Sequence, residues 1–192
     1  MTDPCLAFEG TRRIASGDLP HVALKAKAAI DRGLRGTLLI FDGVTSQPID
    51  VDFRGALKDI LRRLPSPAEE APHALDGEPR RPGRPKLGVV AREVTLLPRH
   101  WEWLNEQPGG ASVALRKLVE EARRVNADKD RLRRARESVY RFASALAGNE
   151  PGFEDATRAL FAGDRARFAH SISGWPADVR KHASKLADSA FA

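Results

Sequence analysis

The sequence predicts an α+β fold in several parts. Three observations predict it. Short apolar runs closed by glycine occupy residues 5–53, a proline-broken stretch follows at 64–86, and helical periodicity dominates from Pro98 onward. These divide the 192 residues into a small α+β domain at 1–63, a disordered linker with a basic arm at 64–86, a strand-helix-helix module at 87–126 and a C-terminal helical region at 127–192.

In the first part, "CLAFEG" and "RRIASG" read as short strands ended by Gly10 and Gly17. "PHVALKAKAAIDRG" reads as a helix with Val22, Ala26, Ala29 and Ile30 on one face and Gly33 as its stop. "TLLIFD" is a buried strand, "DGVTSQP" its turn and "IDVDF" a return strand in which Ile49, Val51 and Phe53 alternate with Asp50 and Asp52. "ALKDILRRL" adds a short helix. Residues 65–86 hold six prolines (Pro65, Pro67, Pro72, Pro79, Pro82 and Pro85) and little apolar content, which predicts a linker without a fixed fold.

The chain carries a formal charge of +6, and its distribution is uneven. Residues 64–79 have Glu69, Glu70, Asp76 and Glu78 and no Lys or Arg. Residues 80–100 have Arg80, Arg81, Arg84, Lys86, Arg92 and Arg99 against Glu93 alone. A concentrated basic arm suits an anionic partner such as nucleic acid.

In "VVAREVTLL", residues 89–97, Val90, Val94 and Leu96 share one face, with Ala91, Glu93 and Thr95 on the other. This is the alternation of a half-buried strand. Nothing adjacent in sequence offers a hairpin partner, and an open edge invites pairing, most simply with the same strand of a second chain. Pro98 starts a helix bearing Leu97, Trp101 and Leu104 on one face, and "QPGGAS" breaks it. Ser112 suits an N-cap, and Leu115, Leu118, Val119 and Ala122 form the apolar stripe of a second helix. Residues 128–147 continue as a basic helix, and the segments "GFEDATRALFAGD", "ARFAHSISGW" and "PADVRKHASKLADSAF" supply shorter ones.

A lone strand followed by two helices resembles the ribbon-helix-helix family over residues 89–124, with "TLLPRHWEWL" at the strand-to-helix corner and "SVALRKLVEEA" at the second helix. The resemblance implies an intertwined dimer whose paired strands enter the DNA major groove. Under it, Val90, Val94, Leu96, Trp101, Leu115, Leu118 and Val119 form the dimer core. Glu93 and Thr95 face the groove, Ser112 and Val113 present amides to a phosphate, and Arg99, Arg116 and Lys117 add charge. The sequence departs from that family at Ala111, where an Arg is usual, and in an outward ribbon face without Arg, Lys, Asn or Gln. "RPGRPK", residues 81–86, resembles an AT-hook core with Pro82 in place of its first arginine. It implies that Arg84 enters a minor groove while Arg81 and Lys86 meet phosphates. The whole chain resembles an uncharacterised bacterial protein family through "AFEGTRRIASG", "LLIFDGVTSQPIDVDFRG", "GRPKLGVVAREVTLLPRHWEWL" and "YRFASALAGNEPGFEDATRALFAGD". That likeness implies a bacterial source and supplies no statement of activity.

Signals for other classes are few. Cys5 is the one cysteine, which fits a reducing cytoplasm and excludes a cysteine-based zinc cluster. No apolar run approaches the roughly 20 residues of a membrane span. The five histidines are scattered, and no HExxH, CxxC, phosphate-loop or GxSxG motif occurs. Asp50 and Asp52 read as a solvated strand face. The expectation is therefore a cytoplasmic, dimeric DNA-binding or regulatory protein without catalytic residues, metal or cofactor. Its expected partners are a second copy, double-stranded DNA, and another protein bound through either terminal region. The alternative is a non-enzymatic interaction protein in which the ribbon only dimerises.

Overall fold

The computed structural model describes residues 4–64 and 92–192. They contain three strands and seven helices: β1 (Cys5–Glu9), β2 (Arg12–Gly17), α1 (Leu19–Asp31), β3 (Leu38–Asp42), α2 (Leu57–Arg63), α3 (Pro98–Glu106), α4 (Gly110–Ala147), α5 (Phe153–Ala162), α6 (Arg165–Ser171) and α7 (Ala177–Ala190). The class is α+β, as the sequence predicts. The chain divides into two units. One joins Met1–Pro65 to Asp128–Ala192, and the other is Ser66–Ala127.

The first unit is organised by a three-stranded antiparallel sheet in the order β2-β1-β3. The β1–β2 hairpin turns at Gly10, whose φ of 57° is left-handed, and closes on a 2.6 Å ion pair between Glu9 and Arg12. Successive strand side chains point to opposite faces. Cys5, Ala7 and Ile40 therefore meet Val22 and Ala26 of α1, while Leu6, Phe8 and Phe41 go to the other side. There they pack on Val139 and Phe142 of α4, Leu160 of α5, Phe168 of α6 and Val179 of α7. Covering both faces explains why β1 is buried along nearly its whole length. Edge-to-face contacts tie Phe8 and Phe41 to Phe142, with ring centroids 5.4 and 5.7 Å apart. The Arg13 amide donates to Asp178 of α7 at 2.9 Å.

Local signals account for the ends of these elements. Asp18 caps α1 by accepting from the His21 amide at 3.0 Å, and Asp164 caps α6 through the Arg167 amide at 2.9 Å. Gly33 and Gly163, both left-handed, follow α1 and α5.

Several expectations change. The regions 1–63 and 127–192, set apart in the sequence reading, share one apolar core. A proline-rich insertion hides contacts of this range from any local pattern. The return strand at 49–53 is reduced to one bridge, Phe41 to Pro48, followed by the Ile49 amide donating to the Ile40 carbonyl at 2.8 Å. Ile49, Val51 and Phe53 do turn inward, toward the α1 side of the sheet. The chain then leaves the ladder. Asp52 binds Arg54 at 2.9 Å and Arg63 at 3.5 Å, drawing the segment toward α2. The basic helix and the second helix of the module are one helix, α4, 38 residues long. No glycine or proline interrupts residues 111–147, and ion pairs such as Glu120–Arg123 and Glu121–Arg124 support its middle. Among the described residues no helix is long and apolar enough to cross a membrane.

Candidate functional site

In the second unit Pro98 opens α3, and a corner at Gly109 and Gly110 leads into α4. Both glycines are left-handed, with φ of 89° and 72°, a conformation that costs other residues a backbone penalty. A Cβ on Gly109 would also lie 3.1 Å from the Val113 side chain. The corner therefore depends on Gly109 and Gly110, and Ser112 lies inside the first turn of α4 instead of capping it. Arg116 Nε donates to the Ser112 carbonyl at 3.2 Å.

The residues expected to form the dimer core divide. Leu96 and Leu115 are half-buried; Val94, Trp101, Leu118 and Val119 are exposed in the single chain, Trp101 at 37% and Val119 at 55%. Leu97 and Trp103 are exposed beside them. Residues 92–97 form no strand here, since a ladder needs a second strand and the described chain supplies none to them. Glu93, Thr95, Arg99, Ser112, Arg116 and Lys117 are exposed, and Val113 is half-buried. Arg81, Arg84, Lys86 and Val90 lie outside the described residues, as does the linker from residue 65 on.

A second constellation, in the first unit, was not singled out in the sequence. The turn after β3 is tied down at both ends. Burial opposes charge on Asp42. The amide and hydroxyl of Thr45 (2.6 and 2.8 Å) and the Val44 amide (3.0 Å) outweigh it, so the carboxyl sits below its ordinary range. Ser46, fully buried at a left-handed φ of 54°, shares a 2.9 Å hydroxyl hydrogen bond with Ser138 of α4. Ser138 in turn donates to the Val44 carbonyl at 2.7 Å, and Arg141 donates to the Thr45 carbonyl. Between this turn, α4 and α7 opens a cavity of about 550 Å³. The signal available in the sequence was the spacing of Arg131, Arg134, Ser138 and Arg141, which puts all four on one helical face. The wall opposite, some ninety residues earlier in the chain, was not deducible from spacing.

Among the described residues no three or more His, Cys, Asp or Glu side chains are gathered to hold a metal ion. Asp50 and Asp52 are exposed, and Asp52 serves the ion pairs with Arg54 and Arg63.

A family model described as an uncharacterized protein conserved in bacteria (DUF2239) matches residues 4–187. No curated protein and no solved structure matches the chain.

Proposed function

We propose a function for a chain that belongs to this uncharacterised bacterial family: a homodimeric DNA-binding regulator that self-associates through the strand near residues 90–96, with apolar side chains as far as Val119 in the dimer core. One observation carries the reading. Val94, Leu97, Trp101, Trp103, Leu118 and Val119, large apolar side chains within one short stretch, are all exposed in the single chain. Apolar side chains gathered at this density mark an interaction surface. A second copy is the occupant that fits best. Residues 92–97 have no ladder partner among the described residues, and a two-fold axis lets the same segment supply one in antiparallel register.

DNA enters through charge. Arg99, Arg116 and Lys117 are exposed on this unit and carry no ion pair among the described residues. The arm with Arg81, Arg84 and Lys86 precedes them in sequence. Each phosphate neutralised lowers log affinity by about 0.9 per log unit of salt. The second reading keeps the dimer and drops the DNA. Arg123 and Arg124 favour it, because Glu120 and Glu121 already neutralise them at 2.9 and 2.8 Å.

Sedimentation of the full chain, with duplex binding followed across a salt series, tests both. Val94→Pro removes a ladder donor, and a dimer that becomes a folded monomer is the expected result. Arg84→Ala weakens binding to A·T-rich duplex more than to G·C-rich duplex. Ala91→Lys adds a cation to the outward face and tightens binding. A stable monomer at low micromolar concentration refutes the dimer. A dimer without salt-dependent DNA affinity, indifferent to Ala91→Lys, leaves the interaction protein standing.

A further inference from the structure

We propose that the cavity between the 43–47 turn, α4 and α7 binds a phosphorylated small molecule. Its volume, about 550 Å³, is within the ~300–1,000 Å³ usual for small-ligand pockets and far larger than a bare ion needs. Arg131, Arg134 and Arg141 line it from one face of α4, and Lys185 adds a cation from α7. The only carboxylate in the lining is Glu137, and it is engaged by Arg133 at 3.2 Å.

Three guanidinium groups on one helical face repel one another, and acid partners relieve such crowding only in part: Arg131 pairs with Asp128 at 3.6 Å. Arg133, adjacent to Arg134 in sequence, is held by both Asp130 and Glu137. Arg134 and Arg141 have no ion pair among the described residues. Their bonds go to the backbone carbonyls of Asp130 and Thr45. An anion is the missing counter-charge, and phosphate matches the planar, two-pronged donation of arginine.

The wall facing these cations is built in advance. Ser138, Ser46 and Arg141 hold the 43–47 turn in place, and Ser46 accepts a left-handed backbone that is strained for a non-glycine residue. That arrangement leaves Thr45 and Gln47 on the lining as polar contacts. Val44, Ala135 and Leu186 supply an apolar side for the remainder of the ligand. A phosphate monoester or diphosphate with a compact organic body is the class that uses both halves.

Calorimetric titration of the full-length protein at constant ionic strength, with pyrophosphate, AMP and glucose 6-phosphate as probes and adenosine as the uncharged control, tests the assignment. At least one phosphate probe is expected to bind saturably at one per chain and to raise the melting temperature. Arg134 is exposed, and its side chain donates to the Asp130 carbonyl of its own helix, so Arg134→Ala is expected to fold normally and to weaken binding about tenfold or more, with Arg134→Lys recovering part of it. Three results overturn the proposal. They are no saturable binding by any phosphate probe, adenosine binding as tightly as AMP, and unchanged binding in the double variant Arg131→Ala/Arg134→Ala. If that double variant instead weakens duplex DNA binding while no probe binds, these cations belong to a nucleic-acid surface and the pocket assignment falls. Val94→Pro, which tests self-association, leaves this cavity intact, so the two proposals fail separately.

Discussion

Phe142 and Trp101 are both large aromatic residues on helices, and their surroundings could hardly differ more. Phe142 is fully buried, touching the rings of Phe8, Phe41 and His182. Trp101 stands 37% exposed, with Trp103, Val94 and Leu97 exposed near it in sequence. The unit that contains Phe142 satisfies its own apolar surface on both sides of a sheet. Among the described residues, the unit that contains Trp101 does not. Periodicity identifies an apolar face in both places; among the described residues, only in the first is it covered. If the proposed self-association holds, stability and recognition fall to different parts of one polypeptide, and substitutions in the two should be read by different instruments.

The largest effect belongs to the filled core. Phe142→Ala should cost about 3–5 kcal/mol, read as a drop in the urea midpoint of the full chain. Next comes Trp101→Ala. It should leave the unfolding of dilute protein nearly unchanged while weakening self-association by about 2 kcal/mol, roughly thirtyfold in the dimer constant by sedimentation. If Trp101→Ala instead matches Phe142→Ala in dilute solution, the contrast between the units is wrong. Ser138→Ala is a smaller perturbation, on the order of 1–2 kcal/mol, because it deprives the buried Ser46 hydroxyl and the Val44 carbonyl of a partner. It should also loosen the 43–47 turn, visible as faster amide exchange there.

The smallest effect is electrostatic. The Arg54 side chain, bonded to Asp52, and the Arg54 amide hold the Asp52 carboxyl down to about 2, from an ordinary 3.8. A lowered carboxyl adds stability above its ordinary range and loses it as pH falls from about 3.8 through about 2. Asp52→Asn should therefore lower the melting temperature slightly at neutral pH, and the gap should close by pH 2. Salt should shrink it too, since the pair is exposed.

Elements with local punctuation were legible in the sequence. The glycine stops at Gly10, Gly17 and Gly33 and the proline start at Pro98 correspond to real boundaries. What escaped was long-range. Leu6 and Phe8 read as strand residues, but nothing local says that their partners are Val139, Phe142 and Val179. The alternation of Ile49, Val51 and Phe53 correctly names an inward face. It is silent on ladder bonds, and Asp52 with Arg63 redirects the backbone. At the module, spacing picked out Trp101, Leu118 and Val119 as apolar without saying what covers them. For the cavity, Arg134 and Arg141 read only as part of a basic helix, because the Thr45 and Ser46 wall comes from a segment distant in sequence.

The divided first unit sets a timetable for synthesis. The Arg13 amide waits 165 residues for the Asp178 carboxylate, and Leu6 and Phe8 wait slightly longer for Val179 of α7. At translation rates of about 5–20 residues per second that is roughly ten to thirty seconds. Helix α1 arrives early and shields Cys5 and Ala7, but the opposite face of the sheet stays bare while residues 66–127 are made. The nascent chain, more than the finished one, is where Leu6 and Phe8 are most prone to adhere to a stranger, and the length of the inserted segment sets how long that exposure lasts.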